Sequence, residues 1–339
     1  YVVNGLFDES GKLVREPKYE ELDQWLATWP DAKLYMIYAG AYGGFDVNPD
    51  PEKLAKKELD EDQRRFGEVL KVWAAHIRKQ GVDPSRIVIC LLDEPGYANA
   101  SRTILYWAQA IRAAVPEIKL FEDPVFRPDT YSNYPVFEML AAMDYVTPAP
   151  DWSYHRRGQV AYDFYEKIRQ AGANIGFYTC SQGVGGTEAT KYYRLQQWEC
   201  WVANKGGTNT YAGFWCYADE RANRPWAQLV GGTGLNFVPA YLDATSATDG
   251  KHWVAIFEGA QDYEYLLMLK QRIEALRKEG RNDAAVEAAQ KLLDTLPGEV
   301  IAAVKNGEPA LHTGEIALPW NSGDMNACDT ARLKVLDVL

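Results

Sequence analysis

The chain of 339 residues carries a formal net charge of -11, a pI near 5.0 and 47% hydrophobic residues. That length suits one large barrel domain or two ordinary ones, with a sizeable core. The acidity, with no basic stripe, argues against nucleic acid and an anionic membrane surface as partners, and no apolar run approaches the ~18 residues of a membrane span.

The first residue is Tyr1, and Tyr1-Val-Val-Asn-Gly reads as the inside of a fold. The chain is therefore expected to be a fragment or processed form from which a signal peptide could have been lost. Cys90, Cys180, Cys200, Cys216 and Cys328 fall in apparent core segments without paired spacing, neither a disulfide framework nor a zinc site. Aromatic residues are abundant, with 11 Trp and 21 Tyr, and several gather at expected strand ends: Tyr38 and Tyr42, Trp152 and Tyr154, Trp215 and Tyr217. Core packing accounts for any one of them. Together they also suit a carbohydrate cleft, because sugar rings stack on aromatic faces and Tyr hydroxyls bond sugar oxygens.

Apolar strand-like runs then alternate with amphipathic helical ones. Val2-Val-Asn-Gly-Leu-Phe7 precedes a predicted helix over residues 19–28. Lys33-Leu-Tyr-Met-Ile-Tyr-Ala-Gly40 precedes a long one near 61–80, with Phe66, Val69, Leu70, Trp73 and Ile77 on one face. Arg86-Ile-Val-Ile-Cys-Leu-Leu-Asp-Glu-Pro95 leads to a helix over 102–115. Lys119-Leu-Phe-Glu-Asp-Pro124 and Asp144-Tyr-Val-Thr-Pro148 lead to helices near 135–142 and over 159–171. Asn174-Ile-Gly-Phe-Tyr-Thr-Cys180 is followed by a glycine-rich loop and a helix over 191–204, and Thr210-Tyr-Ala-Gly-Phe-Trp-Cys-Tyr217 is the last strong strand.

Seven strands in alternation with helices predict a parallel α/β fold, a (β/α)8 TIM-type barrel over residues 1–240. The eighth strand would most simply lie upstream of residue 1. A doubly wound sheet is the rival, but the Gly-rich phosphate loop that announces it is absent. Residues 241–339 read as a mostly helical extension packed on the barrel, with helices over 263–280, 283–296 and 330–339.

The chemistry concentrates at strand ends. A strand apolar on both faces runs into Asp93 and Glu94, and Pro95 stops the ladder, so the pair is expected at the rim, at the carboxyl end of a buried strand. Asp46, Glu122-Asp123, Asp151, Asp219 and Glu220 are further strand-end or loop carboxylates, each more simply a helix cap or solvated charge. Neighbouring carboxylates raise each other's pKa, so one can stay protonated as a general acid while the other is anionic. An ordinary retaining glycosidase needs a second carboxylate as nucleophile. Many barrel glycosidases use an Asn-Glu pair on the fourth strand with a Glu on the seventh; here Asp93 holds the first position, and the strand ending in Tyr178-Thr-Cys180 has no carboxylate. That combination points to substrate assistance. The sugar's own 2-acetamido group attacks the anomeric carbon, Glu94 protonates the leaving oxygen, and Asp93 orients the acetamide.

Three segments then carry a resemblance. Leu92-Asp-Glu-Pro95; Tyr192-Tyr-Arg-Leu-Gln-Gln-Trp-Glu-Cys-Trp201 with Gly213-Phe-Trp-Cys-Tyr217; and Glu258-Gly-Ala-Gln-Asp-Tyr-Glu-Tyr-Leu266 stand in that order. They resemble the catalytic motif, last barrel helix and strand, and downstream signature of glycoside hydrolase family 123. Where relatives usually carry arginines before that signature, this chain has His252-Trp-Val-Ala-Ile-Phe257, and the family's N-terminal β-sandwich is not expected among the 339 residues. The resemblance implies a β-N-acetylgalactosaminidase with Asp93 and Glu94 in the roles above and export from the cytoplasm. A glycan would be contacted by Tyr38, Asp151, Trp152, Tyr178, Trp215, Tyr217 and Asp219. No metal or organic cofactor is expected, since His76, His155, His252 and His312 form no ligand cluster. Two alternatives remain: a glycosidase of another sugar class with Asp151 or Asp219 as nucleophile, and a non-catalytic carbohydrate-binding relative.

Overall fold

The computed structural model describes residues 6–38, 56–95, 98–125, 134–149, 158–179, 188–206, 212–214, 240–242, 246–306 and 323–339. They are mixed α/β. The chain divides into two compact units, Tyr1–Pro148 with Gln159–Ala173, and Ala149–Gly158 with Asn174–Leu339. Among the described residues no helix is long and apolar enough to cross a membrane.

The first unit alternates strand and helix after an opening helix. Its elements are α1 (Glu20–Thr28), β1 (Tyr35–Tyr38), α2 (Lys56–Lys79), β2 (Ile87–Cys90), α3 (Ala98–Ala114), β3 (Lys119–Glu122), α4 (Val136–Ala141), β4 (Tyr145–Val146) and α5 (Gln159–Gln170). The strands β1 to β4 lie side by side in chain order, all parallel, with Tyr38 opposite Cys90, Cys90 opposite Phe121, and Glu122 opposite Val146. All of β2 is buried, as a strand apolar on both faces requires. Helices α2 and α3 pack on each other through Phe66 and Trp107, edge to face at 5.0 Å, and Gly67 admits the close approach of Ala114. Asp144 fixes the entry to β4: its carboxylate accepts from Leu120 N–H at 2.8 Å and pairs with Arg112 at 2.5 Å.

In the second unit, β5 (Asn174–Ile175), β6 (Phe177–Thr179), a π-helical turn (Thr190–Arg194), α6 (Leu195–Ala203) and β7 (Ala212–Phe214) come first. A hairpin of β8 (Ala240–Leu242) and β9 (Ala247–Asp249) follows, then α7 (Lys251–Lys278), α8 (Ala284–Lys305) and α9 (Ala327–Val338). β6 and β7 pair in parallel. The helices α6 to α9 share a core that includes Leu195, Trp198, Leu266, Leu269, Leu293 and Cys328.

That helical core encloses a charge cluster. Asp262 is 2% exposed and accepts from Arg194 Nε at 2.7 Å, Arg332 Nε at 2.7 Å and the Trp198 indole at 3.0 Å. Arg194 also pairs with Asp329, and Arg332 with Glu258.

Several elements differ from their sequence expectations. Of the first expected strand only Leu6 and Phe7 are described, and Phe7 forms an antiparallel bridge with Leu13. The reversal comes from Asp8, whose carboxylate caps the N–H groups of Ser10 and Lys12, and from Gly11 in the left-handed region. The strand expected over 174–180 is broken into β5 and β6. Helix α7 starts twelve residues before the expected 263, because His252 and Asp262 are buried on its inner side and spoil the apolar periodicity. Helix α8 runs through Pro297, where a proline normally ends a helix, to a left-handed C-cap at Asn306.

Asp262→Ala removes the buried carboxylate shared by Arg194 and Arg332, which keep only their partly exposed partners Asp329 and Glu258, and is expected to cost ~3 kcal/mol of stability. Asp329→Ala removes a partner whose side chain is 60% exposed and is expected to cost under ~1 kcal/mol. Urea unfolding of the two variants checks the difference.

Candidate functional site

The ladder of β2 ends at Cys90, and the chain continues through buried Leu91 to exposed Asp93 and Glu94 before buried Pro95. The two acids thus stand in solvent at the carboxyl end of a covered parallel strand, as the sequence predicts. Burial, and then the charge of Glu94, push the Asp93 carboxyl above its ordinary value. Glu94 has φ +46°. Among the described residues only Lys205 and Asn306 share a positive φ without being glycine, and both close helices. Glu94 closes none, and a left-handed residue with a Cβ costs ~1–2 kcal/mol. Such a conformation persists only where the surroundings over-determine the backbone.

What fixes it comes from β3. The register puts Cys90 opposite Phe121, so Glu122 and Asp123 come level with Leu91 and Leu92, just past the end of β2. There the N–H groups of the chain leaving β2 are past the last ladder pair. Glu122 Oε1 accepts from Leu91 N–H at 3.2 Å, and Asp123 Oδ1 accepts from Glu94 N–H at 3.0 Å. The two acids are 0% and 1% exposed, and Glu122 Oε2 has no hydrogen-bond partner among the described residues. Burial above all pushes both carboxyls well above the ordinary range, and the neighbouring acids add to it. This inner pair is thus favoured as neutral acids behind an outer pair that faces water.

Sequence reasoning placed Glu122 and Asp123 among capping or solvated charges; their burial corrects that. The signal was present: Leu-Phe-Glu-Asp-Pro124 repeats the acid-acid-proline pattern of Leu-Leu-Asp-Glu-Pro95. Both prolines are buried.

Cys90 adds a thiol to the inner pair. One ligand atom from each of Cys90, Glu122 and Asp123 lies within 4.8 Å of the others. A thiol and two carboxyls could hold a divalent ion. Burial favours the protonated form of all three, so binding would require them to release protons.

The remaining predicted site residues divide three ways. Tyr38 ends β1 opposite Cys90, 42% exposed, on the strand edge that carries the acids. Tyr178 belongs to β6 in the second unit and is 3% exposed. Asp46, Asp151, Trp152, Trp215, Tyr217, Asp219 and Glu220 lie outside the described residues. Of the histidines, His76 stacks on Tyr19 and bonds Asp23 at 2.6 Å, and His252 is buried against Tyr193.

Because the folded state keeps a proton on Glu122 that the unfolded carboxyl releases, this group's contribution is complete below its ordinary value of 4.5 and is lost as pH rises above it. Glu122→Gln, permanently neutral, is expected to flatten that slope. Between pH 5 and pH 8 the wild type should lose more stability than the variant in urea unfolding. Compared with known proteins, the chain matches no family model and no curated protein.

Proposed function

We propose that the chain is a glycoside hydrolase cleaving a β-linked N-acetylhexosamine, N-acetylgalactosamine foremost, by substrate-assisted retaining catalysis. The observation that carries this reading is the outer pair: adjacent, exposed Asp93 and Glu94 at the end of a buried parallel strand, with Glu94 in a strained backbone conformation. The choice of sugar rests on the resemblance of three sequence segments to glycoside hydrolase family 123. The reading takes residues 1–240 as a (β/α)8-type barrel and the rest as its helical extension. The parallel strands and intervening helices of the first unit support it.

In this mechanism the acetamide oxygen attacks the anomeric carbon and the aglycone leaves. Glu94 gives its proton to the leaving oxygen. Asp93 accepts the acetamide N–H and stabilises the oxazolinium-like intermediate. Water then opens that ring, with Glu94 taking its proton back. Tyr38 stands on the same strand edge and supplies an aromatic face.

A panel of aryl β-glycosides tests the assignment. Turnover of 2-acetamido sugars with inhibition by a thiazoline mimic is expected, and strong hydrolysis of a plain β-galactoside would sink it. Sugar binding without cleavage across the panel would favour a binding module. Glu94→Gln should lower kcat by ~10²–10⁴-fold on poor leaving groups and far less on activated ones, because only the former need protonation.

The pH profile gives a further check. Asp93 must be anionic to orient the acetamide, and its raised pKa means protonation begins earlier as pH falls. The acid limb of kcat/KM is therefore expected above pH 3.8, the ordinary aspartate value. A limb at or below that value would speak against Asp93 in this role.

A further inference from the structure

We propose that Asp123 is a positioning residue for Glu94, whose carboxyl oxygen holds the left-handed backbone from which Glu94 presents its acid. The inference rests on the reading of Asp93 and Glu94 as the reacting pair, and it adds a residue that touches no substrate. Three observations support it. The Glu94 N–H donates to Asp123 Oδ1 at 3.0 Å, a bond between residues 29 apart in sequence. Asp123 is 1% exposed and followed by buried Pro124, so its carboxyl is confined by packing while the residue it holds faces solvent. Glu94 is also the one described non-glycine residue in the left-handed region that helix termination does not explain.

A general acid must meet the leaving oxygen within hydrogen-bond reach, so a small rotation of its backbone is enough to lose the proton transfer. Burial favours the protonated form of Asp123, which accepts through its carbonyl oxygen. An asparagine amide offers that same oxygen in nearly the same volume, whereas leucine fills the space and offers none.

The experiment compares Asp123→Asn and Asp123→Leu in the full chain. It uses aryl 2-acetamido-2-deoxy-β-galactosides of graded leaving-group acidity, and measures hydrogen exchange at the Glu94 amide. Asp123→Leu is expected to lower kcat by ~10²-fold on the poorest leaving groups, with KM changed by only a few-fold and Glu94 exchange accelerated. Asp123→Asn is expected to keep the protection and stay within about threefold of wild-type kcat. Wild-type kcat or unchanged Glu94 exchange in Asp123→Leu would overturn the proposal. So would an Asn variant as impaired as the Leu one. Should Asp123→Leu fail to unfold cooperatively, Asp123→Ala is read in its place. If wild type cleaves none of the glycosides, the hydrolase reading falls, while exchange at Glu94 still decides whether Asp123 holds it.

Discussion

Where the ladder between β2 and β3 stops at Cys90, the backbone N–H groups that follow must find other partners, and the candidate site depends on how they do so. A buried amide left unpaired costs ~1–3 kcal/mol. Past Cys90 the backbone of β3 no longer serves, and two of its side chains take over: Glu122 receives Leu91 N–H, and Asp123 receives Glu94 N–H. The price is the burial of two carboxyls. Held as neutral acids they avoid most of the desolvation that two buried anions would bring. They can also still accept a hydrogen bond, which is what the corner needs. The exposed pair is therefore held from behind by groups that water does not reach.

The second unit uses charge differently. Asp262 is buried among donors that satisfy it: two guanidinium groups and an indole N–H surround its carboxylate. This explains much of the Glu258–Leu266 segment on physical grounds. Gly259 is required because a Cβ there would meet the Arg194 carbonyl oxygen at 2.8 Å. Tyr263 packs edge to face on Trp201 at 5.2 Å, and the Tyr265 ring lies beneath the Arg332 guanidinium. Arg194, Trp198 and Trp201 belong to the segment of residues 192–201. Those two segments thus meet each other in the fold, and their side chains build a helical core.

The alternation of apolar runs with amphipathic ones was enough to locate β1 to β4 and α1 to α5, because strands covered on both faces leave a strong signal in sequence. Asp93 and Glu94 were legible for the same reason, as charges ending an apolar run. Less legible was anything settled by long-range polar contact. The early start of α7 depends on buried His252 and Asp262, and a periodicity of apolar residues cannot register a charge that a distant arginine makes tolerable. The passage of α8 through Pro297 escaped a local rule because tertiary packing buries that turn. Burial of Glu122 and Asp123 escaped a residue-type prior under which carboxylates are solvated unless paired. Their partners are backbone amides of another strand, set by register alone.

The same acid-acid-proline pattern therefore has opposite outcomes on adjacent strands, and register explains both. At the end of β2, Asp93 and Glu94 come three and four residues after the last paired position, far enough to leave the covered part of the sheet. At the end of β3, Glu122 is still paired with β4 through Val146, and its carbonyl oxygen accepts from Thr147 N–H at 2.9 Å. The carboxyls of Glu122 and Asp123 therefore begin inside the sheet and must satisfy backbone, while the other pair is released to solvent. A one-step change of register between β2 and β3 would separate Asp123 from the Glu94 amide. The precision of the candidate site is thus set by the strand pairing beneath it, and the hydrogen bond from Glu94 to Asp123 carries that precision out to the exposed acid.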